Sequence, residues 1–188
     1  PRKRGGPVGV NSGTGHHLSS AKVCRSVRRG RDRDGDRGQS WSLPAGQTAL
    51  CYVRRVPDPI EAVARALGHP FRDPALLAEW LLPVLGFALE PGAAFTFQAP
   101  PQPGWDGTVN CRILELEAQR KLSYAWVVGE LDTVVTFTLT PTATGTRLSL
   151  VHTGFRPDQK QNFGGARYGW RMMGERLVEL LGRTAWPQ

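Results

Sequence analysis

GTVNCRILELE (107–117), KLSYAWV (121–127), DTVVTFTLTP (132–141) and TRLSLVHTGF (146–155) are the segments that decide the fold of this 188-residue chain. Each is rich in the β-branched and aromatic residues that favour strands, and AAFTFQA (93–99), which precedes them, is of the same kind. The connections between them are short and contain proline, glycine or charged residues. Because short connections join antiparallel neighbours, the sequence predicts a five-stranded antiparallel meander.

Apolar and polar residues alternate along these strands, and alternation places every second side chain on the same face of a sheet. The apolar set is predicted to be buried: Val109, Cys111, Ile113, Leu122, Tyr124, Trp126, Val135, Phe137, Leu139, Leu148 and Leu150. The opposite set is predicted to face water: Asn110, Arg112, Thr136, Thr138, Arg147 and Ser149. The predicted sheet therefore has one buried face, which needs a cover, and one wet face.

Helix patterns flank the meander. After it, apolar residues recur at steps of three and four, as is typical of an amphipathic helix: Phe163, Ala166, Trp170, Met173, Leu177 and Leu180. Before it, the strand-like ALCYVRRV (49–56) precedes two short helix patterns, IEAVARAL (60–67) and ALLAEWLL (75–82), each introduced by Asp-Pro. The order predicts an α+β fold, a curved antiparallel sheet wrapped around a long C-terminal helix with two short helices after the first strand.

The N-terminal segment differs from the rest in composition. Residues 1–40 carry ten Lys or Arg against three Asp, so most of the net charge of +8 belongs to them. RRGRDRDGDRG (28–38) is low in complexity and has too few apolar residues to offset the entropy of ordering. The sequence therefore predicts a basic, disordered tail at residues 1–45 and a single domain at 46–186.

Several kinds of protein are disfavoured by what the sequence lacks. It holds no run of about 18 apolar residues, so no membrane-spanning helix is expected. Cys24, Cys51 and Cys111 are odd in number and widely spaced, which favours neither a disulfide framework nor a zinc site. No apolar run follows the basic N-terminus as in a secretory signal. The sequence favours a cytoplasmic protein and implies no metal or nucleotide cofactor.

Several strings, in this order, resemble those of one family: PIEAVARAL, DPALLAEWL, FTFQAPPQPGWDGTVNCRILELEAQRKLSYAW, TVVTFTLTP, GTRLSLVHTGF and YGWRMMGERLVELL. They are similar to the START-like (SRPBCC) superfamily, and most of all to the branch related to the C-terminal domain of the heat-shock-protein-90 ATPase activator. The resemblance covers about residues 49–183. It implies a helix-grip fold, with a cavity between the sheet and the long helix, for the domain at 46–186.

The resemblance also implies a range of functions. Superfamily members bind lipids, polyketides, hormones or other apolar molecules in that cavity, and a minority catalyse cyclisation or hydrolysis. The full chaperone activators carry a separate N-terminal domain, for which residues 1–48 are too short and too polar. Ligand binding is therefore the first expectation, with a co-chaperone or stress-related interaction module and a cyclase/aromatase-like enzyme as alternatives.

The candidate ligand contacts are mostly aromatic residues, which build the apolar walls of small-molecule pockets but are equally typical of an ordinary core. The predicted set is Trp80, Phe97, Trp105, Cys111, Tyr124, Trp126, Phe137, His152, Tyr168, Trp170 and Met173. Trp80 and Trp105 are expected near the mouth of the cavity. Cys111 is expected to behave as a small buried apolar group.

His152 continues the buried alternate set beyond Leu150. A histidine there can form a hydrogen bond to a ligand or exchange a proton, or it can be a core residue satisfied by a neighbouring hydroxyl or backbone group. No carboxylate at a recognisable spacing is available to orient it, and no Ser-His-Asp or Cys-His arrangement is present.

The sequence thus predicts non-catalytic binding of a hydrophobic or amphipathic small molecule, with His152 and Tyr124 fixing its orientation. A chaperone or another protein is the alternative partner. Nucleic acid is expected as a partner only through the basic tail.

Overall fold

The computed structural model describes residues 39–42, 48–56 and 74–183. Its strands are β1 (Gln39–Ser42), β2 (Thr48–Val56), β3 (Val84–Leu85), β4 (Ala94–Gln98), β5 (Thr108–Glu117), β6 (Lys121–Val128), β7 (Leu131–Thr142) and β8 (Gly145–Phe155). Its helices are α1 (Pro74–Trp80) and α2 (Lys160–Arg183).

The strands form one sheet in the order β1-β2-β8-β7-β6-β5-β4-β3, in which every neighbouring pair is antiparallel. From β3 to β8 the chain runs as a meander, and β2 joins it by pairing with β8. The five predicted strands of the meander are confirmed to within a residue or two at each end. Tight turns permit this order: only two residues separate β6 from β7, and Gly129 there has a φ of 55°.

Strand β1 lies inside the segment that the composition predicts to be a tail. It pairs with β2 in the register Gln39↔Cys51 to Ser42↔Thr48. The sheet therefore begins before residue 46, the expected start of the domain. Pairing of a four-residue edge strand uses backbone hydrogen bonds, which leave no hydrophobic pattern for sequence analysis to detect.

The inner face of the sheet is the buried one. Of the residues predicted to be buried on this face, Trp126 is half-buried. The others are buried: Val109, Cys111, Ile113, Leu122, Tyr124, Val135, Phe137, Leu139, Leu148 and Leu150. Tyr52 of β2 and Leu77, Trp80 and Leu81 from the α1 region complete the core together with α2. The predicted α+β arrangement of a curved antiparallel sheet and a long C-terminal helix is confirmed.

The outer face departs from simple alternation at its centre. Asn110 and Arg112 are exposed, as predicted, but Thr136 is only 7% exposed. The Thr136 hydroxyl lies 3.0 Å from the hydroxyl of Ser123, its partner across β6, which is also buried. The prediction that Thr136 faces water was wrong because alternation assigns a side chain to a face but does not determine how deeply its neighbours bury it.

Helix α2 lies against the inner face and contacts both β2 and α1. Its buried residues are Trp170, Gly174, Leu177, Leu180 and Leu181. The predicted apolar stripe is buried at Trp170, Leu177 and Leu180, whereas its other members, Phe163, Ala166 and Met173, are half-buried. Helix α1 begins at Pro74, the position where proline costs a helix no hydrogen bond. An ion pair between Arg183 and Glu79 links the two helices at the surface.

The predicted helix at 60–67 falls outside the described residues. No helix in the described ranges has the length and apolar character needed to cross a membrane.

Candidate functional site

A continuous group of aromatic rings occupies the space between the inner face of the sheet and α2. Phe95 and Phe97 of β4 meet Tyr124 of β6 at ring-centroid distances of 5.6 and 6.1 Å. Tyr124 in turn lies 6.2 Å from Phe137 of β7. The spacings are those of favourable edge-to-face and tilted ring pairs, so the group forms one connected apolar wall.

Two tryptophans close this group from the helical side. Trp80, the last residue of α1, meets Phe137 edge-on at 6.2 Å. Trp170 of α2 meets Phe137 at 5.8 Å and Trp126 at 5.6 Å. The structure therefore brings six of the predicted contacts into one cluster: Trp80, Phe97, Tyr124, Trp126, Phe137 and Trp170.

Tyr124 is the polar exception inside this group. Its side chain is 2% exposed, and its hydroxyl makes no hydrogen bond to any described residue. Burial raises the pKa of Tyr124 well above its ordinary value, and the nearby Cys111 thiol raises it further. Tyr124 therefore stays protonated at neutral pH, and its O–H is a donor enclosed by apolar side chains.

Cys111 lies on the same face, paired with Trp126 across β5 and β6. Burial raises the pKa of its thiol to about 12. A thiol with such a pKa carries almost no thiolate at neutral pH, and the thiolate is the form that attacks electrophiles. This agrees with the expectation that Cys111 acts as a small apolar core residue.

His152 is held by protein groups on both ring nitrogens. The indole N–H of Trp170 donates to its Nδ1 at 2.9 Å, so Nδ1 must be unprotonated. The N–H of the other ring nitrogen, Nε2, therefore donates to the Thr133 hydroxyl at 2.8 Å, which donates onward to the carbonyl of Trp126 at 2.8 Å. Burial lowers the pKa of His152 to about 3, so the ring is neutral near pH 7.

This chain of hydrogen bonds fixes α2 to three strands. Trp170 belongs to α2, His152 to β8, Thr133 to β7, and Trp126 to β6. The expectation that His152 orients a ligand is not supported, because neither ring nitrogen is left for one. These contacts match the alternative considered from the sequence, a core histidine satisfied by a neighbouring hydroxyl or backbone group, and the bond to Nδ1 also holds the Trp170 indole.

Three predicted contacts lie outside this group of rings, although Trp105 and Met173 pack against the core. Tyr168 is 59% exposed on α2, with the guanidinium of Arg171 over its ring at 5.6 Å, so it does not join the interior group. Trp105 is half-buried, and its indole N–H donates to the Thr108 carbonyl at 2.9 Å. Met173 is half-buried against the core. Tyr168 was predicted to converge with the other aromatic side chains, but on α2 it faces solvent.

Sequence reasoning missed a groove of about 580 Å³ on the opposite, outer face of the sheet. It lies over β3, β4, β5 and β6 and includes Leu85, Ala94, Arg112 and Ala125. The signal in the sequence is weak: two alanines lie on the wet face, at positions that strand pairing places on either side of Arg112. Within the described part of the chain, no group of three His, Cys, Asp or Glu side chains could hold a metal ion.

Comparison with known proteins agrees with this architecture. The family model for activator of Hsp90 ATPase homolog 1-like protein matches residues 68–182. No curated protein matches the chain significantly.

Several solved structures share the fold. Protein MLL2253 from Mesorhizobium loti is 38% identical, with 73% of this chain and 99% of that chain covered and a TM-score of 0.65. CalU16 from Micromonospora echinospora is 24% identical, with coverages of 79% and 86% and a TM-score of 0.61. Protein CV1439 from Chromobacterium violaceum is 26% identical, with coverages of 72% and 98% and a TM-score of 0.57.

The family match spans more than half of the chain, and a solved structure of 38% identity is covered almost completely. The chain belongs to the family of activator of Hsp90 ATPase homolog 1-like proteins, with the SRPBCC-type fold.

Proposed function

We propose that this protein binds a hydrophobic or amphipathic small molecule between the inner face of its sheet and α2, without catalysing a reaction on it. The observation that carries the proposal is the Tyr124 hydroxyl, which is fully buried among aromatic rings and has no hydrogen-bond partner among the described residues. Leaving a buried hydroxyl unpaired costs about 1–3 kcal/mol. A ligand that brings an acceptor to this hydroxyl would recover that free energy.

The walls around Tyr124 suit an apolar ligand. Phe97, Trp126, Phe137 and Trp170 would contribute apolar surface, and burial of such surface stabilises a complex by roughly 25 cal/mol per Å² before the costs of association. With His152 engaged on both nitrogens, the Tyr124 hydroxyl is a buried donor that can orient a ligand. The proposed ligand therefore has an apolar body and one acceptor, such as a carbonyl oxygen.

The chemistry of the interior supports binding over catalysis. General acid–base work near neutral pH needs a group whose pKa lies close to the working pH. Among the interior groups, the Cys111 pKa is raised to about 12, the Tyr124 pKa is also raised, and the His152 pKa is lowered to about 3. These shifts leave the three groups neutral, as expected for a site that encloses an apolar molecule.

The alternative role, a protein-interaction module, would need a contiguous exposed apolar patch. The large exposed apolar side chains of the described part are Val53, Leu85, Leu114 and Tyr168, and they lie on four different elements. No observation on these residues favours that role over ligand binding. The cytoplasmic location stays a prediction from the sequence, as does a partner for residues 1–45.

Native mass spectrometry of the full chain, purified from its expression host and followed by solvent extraction, tests the proposal. A co-purifying mass that dissociates on denaturation would support it and identify the ligand class. A clean unliganded mass, together with no saturable binding of the uncharged apolar dye Nile red, would contradict it and favour the interaction module.

Replacing Tyr124 with phenylalanine should have opposite effects on stability and binding. In ligand-free protein, Tyr124→Phe should raise the free energy of unfolding by about 1 kcal/mol, because it removes a buried hydroxyl that has no partner in the described part of the chain. Nile red affinity should fall about five-fold, since the hydrogen bond to the dye carbonyl is lost. Urea unfolding and fluorescence titration measure the two quantities.

Tyr168→Phe is the matched control, because it makes the same change at a tyrosine that is 59% exposed. It should leave both quantities unchanged within about 0.5 kcal/mol. If Tyr124→Phe instead lowers stability by more than 1 kcal/mol, the hydroxyl has a protein partner and the proposal loses its main support.

A further inference from the structure

The outer-face groove is separate from the interior aromatic group, since the sheet lies between them. In the register of the sheet, Arg112 of β5 is paired with Ala94 of β4 on one side and Ala125 of β6 on the other. Two methyl side chains beside a long one leave a depression on the face. The groove of about 580 Å³ lies there, and its volume falls within the range of small-molecule sites.

The edge of the sheet forms the outer wall of this groove. Leu85 of β3 is 62% exposed and pairs with Thr96 of β4. Gly86 follows with a φ of 67°, which lets the chain turn away directly after Leu85. On the same face, Leu85, Thr96, Asn110 and Val127 are cross-strand neighbours and form a row of side chains across β3, β4, β5 and β6. This row lies next to the row of Ala94, Arg112 and Ala125. The groove thus has an apolar wall at the edge and another at Val127.

The polar groups of the groove lie between these walls. Arg112 is exposed and forms no ion pair with any residue in the described ranges, and the Asn110 side chain forms no hydrogen bond there. Among the exposed acids of this face, Asp132 is across Val127 from Asn110, and Glu115 of β5 forms an ion pair with Lys121. The groove therefore presents one guanidinium and one amide without described partners, bordered by apolar side chains.

We propose that this groove binds a small amphipathic carboxylate, with the carboxylate on Arg112 and Asn110 and the apolar part against Leu85 and Val127. The guanidinium fork matches the two oxygens of a carboxylate. One cation without an ion-pair partner in the described part of the chain balances one negative charge, which favours a carboxylate over a doubly charged phosphate. The site is independent of the interior proposed above, because its side chains come from the other face of β4, β5 and β6.

The test uses octanoate as probe and 1-octanol as its uncharged counterpart of the same chain length. The full chain, labelled with ¹⁵N, is titrated with each and followed by the amide resonances of the two faces. Octanoate should shift the amides of Ala94, Asn110, Arg112 and Ala125 in a saturable manner. The amide resonances of the inner-face residues Val135 and Leu150 should shift less on addition of octanoate.

Three variants make the test specific. Arg112→Gln should weaken octanoate binding about five-fold, the usual size of one partly exposed ion pair, and leave octanol binding unchanged. Arg120→Gln, an exposed arginine in the β5–β6 turn, is the matched control and should change neither. Ala94→Leu fills the groove from an exposed position and should weaken binding of both probes.

Each other outcome overturns the proposal. Shifts centred on Val135 and Leu150 would place octanoate in the interior and support the function proposed above instead. Equal octanoate affinity in Arg112→Gln and Arg120→Gln would show that Arg112 does not hold the carboxylate. Unchanged binding in Ala94→Leu, in a protein that unfolds at the wild-type urea concentration, would show that the groove is not the site.

Discussion

Replacing Gly174 with alanine is expected to lower the free energy of unfolding by about 2 kcal/mol. Gly174 is buried on the face of α2 that contacts β2, and a Cβ added there would lie 2.5–2.8 Å from the hydroxyl oxygen and ring carbons of Tyr52. The Tyr52 side chain is only 5% exposed, so its ring has little room to move. Such overpacking costs about 1–3 kcal/mol, and the better helix propensity of alanine offsets at most about 1 kcal/mol.

Gly165→Ala is the matched control in the same helix, because a Cβ there meets nothing within 4 Å. It should stabilise the protein by up to about 1 kcal/mol. Thermal and urea unfolding of both variants separate the two effects. The clash also predicts non-additivity: Tyr52→Leu combined with Gly174→Ala should cost less than the sum of the single changes. Equal effects of Gly174→Ala and Gly165→Ala would show that α2 does not pack closely on Tyr52.

The stability of the protein is expected to fall by about 2 kcal/mol between pH 7.5 and pH 5 through His152 alone. The pKa of His152 is about 3 in the folded protein against an ordinary value of 6.5. Between these values the unfolded chain binds a proton that the folded protein excludes. The stabilisation that neutral His152 contributes is therefore fully present above pH 6.5, and it is lost as the pH falls toward 3, by about 1.4 kcal/mol per pH unit.

The structural reason is the hydrogen-bond arrangement around the ring. A proton on Nδ1 would face the N–H of Trp170, which already points at that atom from 2.9 Å. Protonation would thus remove the bond that joins α2 to β8. The same event would place a charge in the interior next to Phe155, whose ring centroid lies 4.5 Å away.

His152→Gln tests this explanation, because an amide can accept from Trp170 and donate to Thr133 but does not titrate. Urea unfolding of both proteins at pH 7.5 and pH 5 gives the difference directly. The loss of stability between the two pH values should be about 2 kcal/mol smaller in the variant. The carboxylates and the other three histidines are present in both proteins, so their contributions cancel in the comparison. An identical pH dependence in the two proteins would mean that His152 is not excluded from protonation in the folded state.

The strands of the meander and the C-terminal helix could be predicted because their signals are periodic. Apolar residues recur at every second position in each strand and at steps of three and four in α2, and both periods follow directly from backbone geometry. Strand β1 carries no such pattern, so sequence analysis did not predict a strand at residues 39–42. Thr136 shows a second limit of sequence analysis, because the alternation of residues assigns a side chain to a face of the sheet but does not determine how deeply it is buried.

The candidate site was predictable in part. Alternation correctly grouped Tyr124, Phe137 and His152 on one face, but it could not show that Trp170 and Thr133 occupy both nitrogens of His152. Tyr168 differs from Trp170 by two positions, and rotation about the helix axis places it at the surface. The outer groove exists because Ala94 and Ala125 lie on either side of Arg112 in the sheet. These two residues are 18 and 13 positions from Arg112 in the sequence, so local patterns cannot show that the three are neighbours.

The sequence by itself determined the order of strands and helices, the buried face of the sheet and the family, because these follow from local spacing and from the order of short strings along the chain. Only the tertiary structure decided that the Tyr124 hydroxyl lacks a partner among the described residues, that His152 ties α2 to the sheet and that the outer face carries a groove. Each of these depends on distances between residues far apart in the chain, which are set by strand register and helix packing.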